Sequence, residues 1–170
     1  MATPTDRRPF ALFRGADAPS LSEHGSITQA GVTPVIEQGF SAMVAAGALE
    51  GSYLDVPWSG NGMSLTRLAM KSGNPLPLHT HDCDCLYYIV SGSIVIGTET
   101  LHGGDGFFVG AEVPYGYFAG PEGAVLLEFR ATERFNIRFQ VKTEEGWDRL
   151  VRHVADAQDR WAGESLPAVS

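Results

Sequence analysis

Cysteine, basic side chains and long apolar runs are all scarce in this chain. Only two cysteines occur among its 170 residues, Cys83 and Cys85. Strand neighbours two residues apart make poor disulfide geometry, and C-x-C is too short for a redox C-x-x-C pair, so reduced thiols are expected. Twelve Lys and Arg stand against twenty Asp and Glu, a formal net charge of -8. No basic run or basic helix face offsets this balance, which excludes the clustered cations that a nucleic acid or an anionic membrane surface would need. No apolar stretch is long enough to span a bilayer. The opening MATPTDRRPFALF lacks the apolar centre of a secretory signal, and a cytoplasmic protein is expected.

Hydrophobic residues make up 44% of the sequence, enough for one domain of this length to bury a core. Residues 1–60 read as an N-terminal arm followed by a short helix, with Gly51–Trp58 at their end as a strand whose Pro57 marks an edge or the strand's end. The arm is rich in Ala, Gly, Pro, Ser and Thr. Thr33-Pro34 then supplies an N-cap and a first-turn proline. Residues 142–170 read as a C-terminal helix and tail, with Thr143 as N-cap and Glu144 and Glu145 at the positive end of the dipole. Trp147, Leu150, Val151, Val154 and Trp161 form the apolar stripe of that helix.

Between them, residues 61–141 form a series of short β-prone segments separated by Gly and Pro turns, the pattern of a sandwich or barrel. Met63, Leu65 and Arg67 alternate with Ser64, Thr66 and Leu68. The first set, with Phe135, Ile137 and Phe139, is expected inside. Ser91-Gly92 reads as a tight hairpin between Leu86–Val90 and Ser93–Gly97.

The most informative stretch is Gly73–Gly92, GNPLPLHTHDCDCLYYIVSG. Read as one extended strand, it sends His79, His81, Cys83, Cys85 and Tyr87 to one face. Imidazole and thiolate are good ligands for zinc, iron, copper or nickel. The alternative for the histidines is a polar barrel mouth without metal. For each cysteine it is a small buried packing residue.

The same stretch resembles the first sequence motif of the cupins: Gly73, then His79-x-His81, then Gly92 at the closing position. Cys85 stands where that family usually has Glu. The second motif is matched by Gly104–Ala119, with Tyr115 at the position of the usual His and Ala119 at that of the usual Asn. The resemblance covers roughly residues 60–140. It implies an all-β, double-stranded β-helix barrel (a jelly roll) and a homodimer. It also implies a small-molecule metalloenzyme: an oxygenase, lyase, isomerase or cyclase using a divalent transition metal. His79, His81 and Cys85 are then the expected metal ligands, and Tyr115, Tyr87 and Arg67 the expected catalytic or substrate-facing residues. Glu128 and Arg130 share a face and are expected to pair on the outside. A metal-free cupin that binds a small ligand as sensor or carrier is the alternative.

Overall fold

The computed structural model describes residues 8–168; the first seven residues of the expected arm and the last two of the tail lie outside them. Nine strands form the body: β1 (Ile27–Gln29), β2 (Ser52–Gly60), β3 (Met63–Met70), β4 (Pro75–Thr80), β5 (Cys85–Ile96), β6 (Glu99–His102), β7 (Gly106–Val109), β8 (Tyr115–Arg130) and β9 (Phe135–Phe139). Three α-helices accompany them: α1 (Leu21–His24), α2 (Pro34–Ala45) and α3 (Glu144–Ala162). Two of these strands, β1 and β2, precede residue 61. β2 takes up the strand expected over Gly51–Trp58, whereas β1 lies in the segment expected as an extended arm.

Two long strands fold the sheet over on itself. The second half of β8 pairs with β3 and with the first half of β5, which also pairs with β7. The first half of β8 pairs with β4 and with the second half of β5, which also pairs with β6. β4 continues to β9, and β1 joins β9 in the one parallel pairing among the described strands. Because β5 and β8 each serve both layers, the layers close into the jelly-roll barrel that the sequence led us to expect. The lumen is filled by a cluster that includes Leu68, Met70, Tyr87, Ile89, Tyr117 and Leu126.

The corner between the layers explains why Ser91-Gly92 is not a hairpin. Both halves of β5 hydrogen-bond to β8 rather than to each other, and the strand runs through with register shifts on either side of Ser91-Gly92. Gly92 has φ of 72° and crosses Gly123 of β8, so closely that a Cβ would overlap the Gly123 carbonyl oxygen. The closing glycine of the motif is thus a requirement of backbone crossing.

A second core lies outside the barrel. α2 and α3 pack together and onto Phe139 of β9, burying Trp147, Val154 and Trp161. Both helices start as their sequences indicate: Thr33 Oγ1 accepts from Ile36 N, and Thr143 Oγ1 from Gly146 N. Gly39, a poor helix former, sits where the Trp147 ring lies directly on the backbone of α2, leaving no room for a Cβ. The indole N–H groups are satisfied by carbonyls, Trp147 Nε1 by Val141 O at 3.0 Å and Trp161 Nε1 by Ser72 O at 2.8 Å. Truncating either tryptophan removes about 3–5 kcal/mol.

The alternation along β3 has the opposite sense to the expectation. Ser64, Thr66, Leu68 and Met70 are buried, whereas Met63 is exposed and Leu65 and Arg67 half-buried. Phe135 is buried as expected, and Ile137 lies in the barrel wall between the two cores.

Replacing Gly92 by Ala combines a left-handed backbone with a backbone overlap. The substitution is expected to lower stability by about 2 kcal/mol or more, read as a reduced urea midpoint. An alanine variant as stable as the parent would contradict the crossing described for this corner.

Candidate functional site

His79 is the penultimate residue of β4, and His81 follows the strand end. The register pairs His79 with Tyr115 of β8 on one side and Phe139 of β9 on the other. This brings the aromatic rings together: His79 to His81 at 4.9 Å between centroids, His79 to Tyr115 at 4.3 Å, and His81 to Phe135 at 5.4 Å edge-on. Both histidines are buried.

Each imidazole is oriented through Nδ1. His79 Nδ1 lies 2.7 Å from Pro77 O, and His81 Nδ1 is bonded to Asn136 O. A carbonyl oxygen can only accept, so each Nδ1 must carry the hydrogen. In the neutral ring this leaves the Nε2 lone pair free. Burial pushes both pKa values down to about 4, against the opposing pull of the two carbonyls; for His81 the nearby Arg130 guanidinium adds to the depression. Both rings are therefore neutral at pH 7.

The two histidines face a chamber of about 80 Å³ whose wall also includes Tyr115, Glu128, Arg130 and Phe135. Arg130 and Glu128 were expected to pair on the outside; they do pair, at 2.7 Å, but inside and almost fully buried. The inward parity of β8 changes across Gly120–Gly123. Tyr115, Tyr117 and Ala119 point in before the corner, and Ala124, Leu126, Glu128 and Arg130 after it. The strand is apolar on both faces, so its alternation does not reveal the change.

Arg130 is held from several sides. Nη1 donates to Thr66 Oγ1 at 3.3 Å, Nη2 lies 3.5 Å from the Tyr87 hydroxyl, and the guanidinium sits 4.0 Å above the Phe135 ring. Burial alone would weaken its charge, but adjacent Glu128 more than offsets this and raises the pKa. Its Nε has no partner among the described residues.

The Tyr87 and Tyr115 hydroxyls hydrogen-bond to each other, and the Tyr87 ring stacks on Phe107 at 4.4 Å. Burial, reinforced by the Glu128 carboxylate, pushes both phenols above their ordinary pKa. They are proton-bearing groups at any ordinary pH.

Two expected site residues do not line the chamber. Arg67 is on the outer face of β3, where Nε donates to Asp55 Oδ1 at 3.0 Å and Nη2 to Asp55 Oδ2 and to Gly15 O. The inward side of β3 belongs to Thr66 and Leu68, so Arg67 fastens the segment before β1 to the barrel and does not line the chamber. Cys85 is buried, but the reading of residues 79–87 as one strand does not hold. β4 ends at Thr80, a bend follows at 82–83, and β5 begins at Cys85. Cys85 packs in the lumen cluster, and burial raises its thiol pKa to about 12. No group of three His, Cys, Asp or Glu side chains that could hold a metal forms among the described residues. The expected set of His79, His81 and Cys85 is therefore not assembled.

No family model and no curated protein matches the chain. Solved structures do. The polyketide cyclase RemF from Streptomyces resistomycificus is similar with a TM-score of 0.51 at 17% identity, over 61% of this chain and 84% of that one. An oxalate oxidase gives a TM-score of 0.49 at 15% identity, over 71% and 77% of the two chains. An RmlC-like cupin from Shewanella frigidimarina gives 0.47 at 16% identity, over 74% and 91%. The chain has the cupin fold: an all-β jelly-roll barrel carrying a C-terminal helix. At these identities the likeness speaks to the fold alone.

The buried neutral histidines have a thermodynamic signature. Their folded pKa values lie below the ordinary value of about 6.5, so between about 4 and 6.5 the unfolded chain binds more protons. Stability is therefore expected to fall as pH drops through that window, on the order of 3 kcal/mol per histidine, and this contribution levels off below it. Chemical denaturation at stepped pH with chelator present measures this. The His79→Gln/His81→Gln double variant should lose most of the slope above about pH 5; an unchanged slope would contradict the assignment.

Proposed function

We propose that the chain is a small-molecule enzyme of cupin type whose chamber takes a divalent transition metal on Nε2 of His79 and His81. The observation that carries this reading is the paired backbone anchoring of Nδ1. It fixes the ring that a metal ligand needs: neutral, oriented, with Nε2 unpartnered. Two imidazole nitrogens suit zinc, iron, copper or nickel rather than magnesium or calcium, which prefer oxygen. Glu128 is engaged by Arg130, and Cys85 is held as a thiol, so remaining coordination positions fall to solvent or substrate. When bound, such an ion polarises a carbonyl or activates oxygen.

The protein's own groups supply proton chemistry beside it. Tyr115, in ring contact with His79, holds its proton and can donate it to a substrate oxygen. Tyr87 then donates to the Tyr115 oxygen, and Arg130 next to Tyr87 stabilises negative charge developing along the pair. The apolar surroundings of Leu68, Met70 and Phe135 exclude water and strengthen these interactions. The chain's similarity to enzymes such as RemF is consistent with this class but selects no reaction.

A metal-free cupin that binds a small ligand as sensor or carrier is the second reading. It is favoured by the absence of a third ligating side chain beside the histidines among the described residues. Elemental analysis separates the two. We expect about one transition-metal ion per chain after loading and dialysis, a loss of at least tenfold in affinity on His79→Ala or His81→Ala, and no loss on Cys85→Ser. Metal content unchanged by both histidine substitutions, or none in the loaded parent, would favour the metal-free reading.

A further inference from the structure

A second cavity of about 420 Å³ lies between the barrel wall and α2, and Leu21, Ile27, Leu54, Leu76 and Ile137 line both spaces. Its outer wall comes from Phe40, Met43 and Val44 of α2 and from Leu49, which is 67% exposed at the rim. Polar side chains are few there: Gln29, Ser52 and Asn74. The two spaces adjoin across these residues, the outer one apolar and the inner one lined also by the histidines, Tyr115, Glu128 and Arg130.

The inner end is electrically balanced. The Arg130 charge is matched by Glu128 at 2.7 Å. Arg130 Nε, buried and without a partner among the described residues, offers a donor for a ligand oxygen. Together the cavities fall in the size range of small-molecule sites.

We propose that the ligand is an amphiphile with a carbonyl or hydroxyl head in the histidine chamber and an extended apolar body in the vestibule under α2. This rests on the reading of the chamber as the site of small-molecule chemistry, and names the substrate class for it. The vestibule sets the length of the apolar body, with Val44 and Leu49 as the residues that determine it. α2, outside the barrel, is then part of the specificity apparatus as well as a support.

Methyl ketones of increasing chain length, from acetone upwards, test this by titration calorimetry. Each added methylene is expected to tighten binding about fourfold until the vestibule is full, after which affinity levels off. Val44→Trp fills the space and Leu49→Asp places a charge at its rim. Both should bring the levelling-off to shorter chains while leaving metal content and the affinity for the shortest ketones unchanged. The vestibule contains no proposed metal ligand, so the same length dependence is expected before and after chelator treatment. Affinity that does not depend on chain length in either preparation, or a dependence untouched by both substitutions, overturns the proposal. A protein that binds no metal yet keeps the length dependence overturns only the metal reading and leaves the vestibule standing.

Discussion

Two carbonyl oxygens, those of Pro77 and Asn136, decide what the centre of this barrel can do. Each accepts a hydrogen from the Nδ1 of one histidine, and neither histidine would be usable without it. A buried imidazole free to rotate would find some internal partner for Nε2 and become inert. Anchored from behind, both rings are held with the lone pair forward and the proton at the rear. The anchors are backbone atoms on two elements. Pro77 belongs to β4 itself and Asn136 to β9, so the site's geometry is as rigid as the pairing of those strands. Pro77 has no N–H of its own, and its carbonyl is available to His79 on the lumen side.

Around the histidines the chamber is costly to build. A buried arginine and a buried glutamate each lose hydration, and their attraction at 2.7 Å recovers that loss only with help. Thr66, Tyr87 and the Phe135 ring supply the help. Removing Glu128 alone would leave Arg130 as an unpaired buried charge, a loss of about 3–5 kcal/mol. Such a pair contributes little net stability compared with an apolar filling. Its place beside two histidines and two linked phenols fits the proton chemistry proposed for the chamber. The second core, with Trp147 and Trp161 buried under α2 and α3, supplies stability that the polar chamber does not.

Much of the barrel was legible in the sequence, and the failures have specific causes. Gly73, His79, His81 and Gly92 carried the fold because each spacing reflects a backbone event: a turn, a strand end, a crossing. The helix starts at Thr33 and Thr143 were legible because capping is local chemistry. The inward sense of β3 was not, since Met63 and Leu65 are as apolar as Leu68 and Met70, and only pairing with β8 decides between them. Glu128 and Arg130 were misplaced for a related reason: the parity of β8 switches across a glycine-rich corner inside one strand. Cys85 was grouped with the histidines by assuming an unbroken strand, whereas Asp82 and Asp84 lie in a bent break between β4 and β5. Asp82 Oδ1 accepts from Asn136 N at 2.8 Å, and Asp84 Oδ1 from Ala111 N at 2.9 Å, so these carboxylates stabilise the break.

The central claim is that His79 and His81 are neutral rings with the proton on Nδ1 and Nε2 open. Nitrogen-15 NMR of histidine-labelled, chelator-treated protein reads tautomer and protonation at both positions directly. The account predicts that both rings show a protonated Nδ1 and an unprotonated Nε2 at neutral pH and stay neutral until the pH approaches about 4. A proton on Nε2 of either ring at neutral pH, or titration near the ordinary value of about 6.5, would contradict it.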